Sequence, residues 1–170
     1  MQAEQAIGAI ALIVVLVALK AGTIGMAMWL HATYADRMGR IGELYRARAT
    51  ECFIVGLINT VVLFFIGLLL IGTKVLSLLG LMVWGVVIVM AVFGYSAAYR
   101  HVGERVFGPS TTAARTVLLG GITAEAAFLA PLIGQLFSIG VLLRGIGAVV
   151  LTVLSRKAGV KPIPATAEIE

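Results

Sequence analysis

Long apolar runs broken by short polar ones set the pattern of this chain, over residues 6–31, 53–71, 75–98 and 116–155. A bilayer-crossing helix needs about 20 predominantly apolar residues, so the first three runs each predict one span. The fourth would measure about 60 Å as one helix, twice the hydrocarbon thickness, and must fold back. Proline removes a backbone donor and clashes with the preceding turn, and a glycine three residues on tolerates a reversed backbone. Ala130-Pro131-Leu-Ile-Gly134 is therefore the predicted corner, with Pro131 and Gly134 at its two ends. The expected fold is an all-α polytopic membrane protein of five transmembrane helices, at about 6–31, 53–71, 75–98, 116–133 and 134–155, the last two a tight hairpin. Residues 1–157 form its single domain, and 158–170, with Pro162 and Pro164, an unstructured cytoplasmic tail.

The polar stretches test this topology. Five spans place Arg37, Arg40, Arg46, Arg48, Arg100, Arg105, Arg115, Arg156, Lys157 and Lys161 on one side and only Lys74 on the other. That asymmetry satisfies the positive-inside rule and orients the N-terminus outside and the C-terminus in the cytoplasm. A single crossing by the last run would move Arg156, Lys157 and Lys161 across and erode it. In the loop 32–50, Met38, Ile41, Leu44 and Tyr45 recur at three- and four-residue intervals among four arginines. This predicts either a short helix on the membrane surface, with Arg37, Arg40, Arg46 and Arg48 on lipid headgroups, or a topology signal with incidental periodicity.

Composition narrows the class. Charged residues make up 12% of the chain and hydrophobic ones 61%, which excludes an ordinary soluble domain, where about a quarter are charged. The formal charge of +5 then serves orientation and anionic headgroups, not nucleic acid. Cys52 is the only cysteine, so no intrachain disulfide forms. Gln2, Glu4 and Gln5 precede the first run without a basic region, so it is expected to be retained as a helix and not cleaved as a signal peptide.

Charges within the apolar runs are candidates for function, because an ionisable side chain in lipid is costly. Glu125 and Arg144 flank the predicted corner, and a hairpin would bring them to one depth as an ion pair. That pair either locks the hairpin or builds a proton or ion relay on Glu125. Lys20, in the first run, either neutralises Glu125 in place of Arg144 or carries its ammonium toward an interface. Asn59, Thr60, Gln135 and Ser138 are candidates for polar contacts between helices, and Gly22, Gly25, Gly80, Gly85, Gly140, Gly145 and Gly147 for close packing. His31, Glu51, Cys52 and His101 could meet near the cytoplasmic face, yet nothing in their spacing asks for a metal, and no metal or other cofactor is expected beyond bound lipid. No nucleotide-binding, zinc-protease or serine-hydrolase motif occurs, and the expectation is no enzyme.

Residues 46–157 carry a series of short motifs: Arg46-Ala-Arg48 to Gly56, Val102-Gly-Glu-Arg-Val106, Arg115-Thr-Val-Leu-Leu-Gly120, Pro131-Leu-Ile-Gly134, and Arg144-Gly-Ile-Gly-Ala148-Val-Val-Leu-Thr152. The series resembles the membrane module that follows the β-helical part in some bacterial polymer-forming, bactofilin-like proteins. The resemblance implies a membrane anchor or scaffold with no catalytic residues to transfer, but the polymerising β-helix has no counterpart here. The expected function is a non-enzymatic structural or accessory subunit of a bacterial plasma-membrane complex, with lipids and other membrane subunits as partners. The alternative is a small ion, proton or solute transporter or channel built on Glu125 with Arg144 or Lys20.

Overall fold

The computed structural model describes residues 2–108 and 112–157; the expected tail at 158–170 lies outside them. The described residues form six helices: α1 (Gln2–Thr33), α2 (Ala35–Ala47), α3 (Ala49–Gly72), α4 (Ser77–Phe107), α5 (Ala113–Phe128) and α6 (Ile133–Lys157). Four of them, α1, α3, α4 and α6, are long and apolar enough to cross a membrane, the make-up of a multi-pass membrane protein.

The helices outrun their apolar cores. The expected loop after residue 98 is helix as far as Phe107, because Tyr99 is buried and Arg100 pairs with Glu104 one turn on, at 2.8 Å. Gly108 then ends α4 at φ 80°, a backbone conformation glycine adopts without strain. The loop 32–50 is α2, joined to α1 through Tyr34 and to α3 through Arg48. Met38, Ile41 and Tyr45 lie buried on its apolar face, so the periodicity is structural, and that face packs on α4 and α6.

The tight hairpin does not form. α5 and α6 pack on each other far less than either packs on α4. Gly94 and Gly103 explain why: nine residues at about 100° each put them on opposite faces of α4. On one face Gly94 lies against Gly145 of α6; on the other Gly103 lies against the Thr116 carbonyl and Gly120 against the Tyr99 carbonyl. A third close approach joins α3 to α6, with Gly56 at the Leu143 carbonyl and Gly147 at the Cys52 carbonyl. Small residues let backbones come this near in a membrane, where dispersion and interhelical contacts replace the hydrophobic effect. Gly22, Gly25, Gly85 and Gly140 face open space instead.

The corner also differs in detail. The residue with reversed backbone is Leu132, at φ 63°, whereas Gly134 sits in the first turn of α6 and lets it approach the Ala127 and Phe128 carbonyls. Leu129, Leu132 and Ile133 are exposed and apolar, and the amides of Leu129, Ala130, Ile133 and Gly134 bond within the corner. Internal bonds at these four amides lower the cost of placing the turn in hydrocarbon.

The core gathers toward the α2 end of the bundle, around Met38, Cys52, Tyr99, Val117 and Ala148. Over residues 7–23, by contrast, every described side chain of α1 is exposed.

Candidate functional site

Glu125 reaches α1, not α6. Gly121 packs against Ile24, and one turn further along each helix Glu125 meets Lys20 on the same faces. Lys20 Nζ stands 2.6 Å from Glu125 Oε2, and the Tyr99 hydroxyl of α4 donates to Oε1. The lysine contact is an ion pair lying off the hydrogen-bonding direction, for Oε2 receives no aligned hydrogen bond. Lys20 also lies 5.8 Å from the centroid of the Phe128 ring. Its side chain is 49% exposed and that of Glu125 10%, so the carboxylate depends on the pair more than the ammonium does. Lys20 falls within two residues of the midpoint of the apolar segment Ile10–Thr33.

The expected Glu125–Arg144 pair is therefore replaced by two separate arrangements. Arg144 faces the end of α2, where its Nε and Nη2 donate to the Tyr45 carbonyl, the Nε bond at 2.9 Å. Its guanidinium carbon lies 4.1 Å from the Tyr45 ring centroid. Tyr45 is in the last turn of α2, whose carbonyls have no partner within the helix, and a cation there also complements the helix dipole. Cys52 Sγ donates to the neighbouring Leu44 carbonyl at 3.4 Å. Burial holds the Tyr45 hydroxyl above its ordinary pKa, with Arg144 opposing the shift. Arg144→Gln should remove this cap and the ring contact, at about 1–3 kcal/mol. Hydrogen exchange should show it as faster exchange over α2, with α5 unchanged.

The other candidates divide. Ser138 Oγ and the Tyr95 hydroxyl share a hydrogen bond of 3.0 Å between α6 and α4. Asn59 reaches only the Met90 sulfur, at 3.9 Å, and Gln135 is exposed. The Thr60 hydroxyl is buried without a hydrogen-bond partner among the described residues. Thr60→Val, which keeps the shape and removes an unsatisfied group, should raise stability by about 1 kcal/mol in a thermal melt. Of the four arginines around α2, Arg46 pairs with Glu104 at 2.9 Å and Arg48 with Glu51 at 3.1 Å. Arg37 lies 5.8 Å from the Tyr34 ring and Arg40 bonds the Asp36 carbonyl at 3.4 Å; neither has a carboxylate partner among the described residues.

His31, Glu51, Cys52 and His101 do not converge: His31 Nδ1 lies 3.1 Å from the Ala27 carbonyl and 3.0 Å from Ser96 Oγ, and the His101 ring lies 5.6 Å from that of Tyr45, tilted by 60°. No three metal-ligating side chains gather among the described residues. The polar groups that sequence reasoning passed over are Tyr99, Ser96 and the Arg46–Glu104–Arg100 cluster, which ties α2 to α4. The four-residue spacing of Arg100 and Glu104 was the one signal available for them. Comparison with family models, with curated proteins and with solved structures finds no match.

Proposed function

We propose that this chain is a non-enzymatic structural or accessory subunit of a larger protein complex in a bacterial plasma membrane. The observation that carries the reading is the way α1 is used. Its second half and Lys20 bind it to the bundle, while the described residues of 7–19 present apolar side chains on every face, as a helix does beside neighbours in a membrane. The charges deepest in the bundle support the same reading, being engaged in holding helices together: Glu125 with Lys20 and Tyr99, and Arg144 with the end of α2. A scaffold like the membrane module of bactofilin-like proteins fits this use of polar groups. The test is native purification in mild detergent with mass spectrometry of whatever co-migrates. Other membrane proteins at fixed ratio are the expected result; a lone or purely self-associated chain would overturn the proposal.

The topology that goes with it has five crossings, N-terminus outside and C-terminus cytoplasmic. α5, at 16 residues about 24 Å long, is its short fifth crossing, ending at a corner able to lie within lipid. Lys74→Cys should then be labelled by a membrane-impermeant maleimide added outside intact cells. The native thiol of Cys52 is buried and contributes little background.

A second reading, transport, rests on the placement of Glu125 between a half-exposed lysine and a buried tyrosine near mid-span. Flux through proteoliposomes that Glu125→Gln abolishes, with the fold intact, would favour it.

A further inference from the structure

A groove of about 240 Å³ opens where α2 crosses α4 and α6. Its walls are apolar: Val89 and Phe93 come from α4, and Val149 and Val153 from α6. Its polar rim is Arg37 and Arg40, on one turn of α2 and both exposed. Neither has a carboxylate partner among the described residues, whereas Arg46 and Arg100 share Glu104, Arg48 pairs with Glu51, and Arg144 is held by the Tyr45 carbonyl. The Asp36 carboxylate forms no ion pair with either.

Two uncompensated guanidiniums at the mouth of an apolar slot match one kind of molecule, an anion joined to a hydrocarbon chain. A free phosphate would leave the slot empty, and a neutral lipid would leave the charge unmet. From this charge complementarity we infer that the groove is a specific site for an anionic phospholipid of the surrounding bilayer. Its phosphate is held by Arg37 and Arg40, with guanidinium forks suited to phosphate oxygens, and one acyl chain lies along Val89, Phe93, Val149 and Val153. The lipid would bridge the first half of α2 to α4 and α6, while Arg144 and Glu104 fasten its last turn.

Native mass spectrometry of the full chain released from nanodiscs tests this, using equal parts of phosphatidylglycerol and phosphatidylcholine with identical acyl chains. The expected result is one retained phosphatidylglycerol, enriched about thirtyfold over phosphatidylcholine, since two basic residues near a membrane surface together favour an anionic lipid by about that much. Arg37→Gln with Arg40→Gln should abolish the enrichment; both side chains are exposed, so the fold is spared. Val153→Phe should lower occupancy by filling the slot, and Lys74→Gln, on the opposite connection, should change nothing. Equal retention of the two lipids, enrichment that survives the double arginine variant, or equal binding of glycerol phosphate without acyl chains would each overturn the assignment.

Discussion

Replacing Gly147 with alanine should destabilise the bundle by about 3 kcal/mol or more, although alanine is the better helix former by about 1 kcal/mol. The new Cβ would collide with the Cys52 carbonyl and approach the Gly56 amide, so the obstacle is backbone on both sides. A side chain in the way can turn aside; a carbonyl within a helix cannot, and α3 and α6 must separate. Gly56→Ala should behave alike, because its Cβ meets the Leu143 carbonyl of the same interface. Gly140→Ala, at a position on α6 with nothing near it, should instead be neutral or stabilising. Thermal melts of the three variants in one detergent check the contrast, and a Gly147→Ala protein as stable as Gly140→Ala would remove the close α3–α6 approach from the account.

Lys20→Met should cost about 3 kcal/mol, because it strands a buried carboxylate with the Tyr99 hydroxyl as its remaining partner. Glu125→Gln should cost less. The amide still accepts from Tyr99, and the half-exposed lysine can carry its ammonium along its stem toward an interface. The order of the two losses follows from the unequal burial of the partners. Hydrogen exchange over α2 should be unchanged in both, since Arg144 is held by Tyr45 and not by Glu125.

The sequence made the membrane class, the apolar helices, the corner and the three intramembrane charges plain, but it put Arg144 first as the partner of Glu125, where the structure has Lys20. The partner of Glu125 depended on which face of α5 turns to α1, a matter settled by Gly121 against Ile24. Arg144 was harder, because its partner is a main-chain carbonyl at a helix end that composition does not mark. The hairpin failed as an expectation for a visible reason: Gly94 and Gly103 lie half a turn apart on α4 and draw α6 and α5 to opposite sides. The glycines expected to pack closely did not include Gly94 or Gly103; of those that were expected, Gly80, Gly145 and Gly147 do so, whereas Gly22, Gly25, Gly85 and Gly140 face open space. The extension of α4 was legible in the Arg100–Glu104 spacing, whereas the burial of α2 needed the fold.

The claim on which the account turns is that the mid-span charge is closed between α1 and α5 within one chain. A double-mutant cycle on Lys20→Met and Glu125→Gln, read as thermal stability in nanodiscs, measures it directly. A coupling of about 2 kcal/mol is expected, with the double variant more stable than Lys20→Met alone, and none between Glu125→Gln and Arg144→Gln. Additive losses for Lys20 and Glu125, or strong coupling of Glu125 to Arg144, would contradict it.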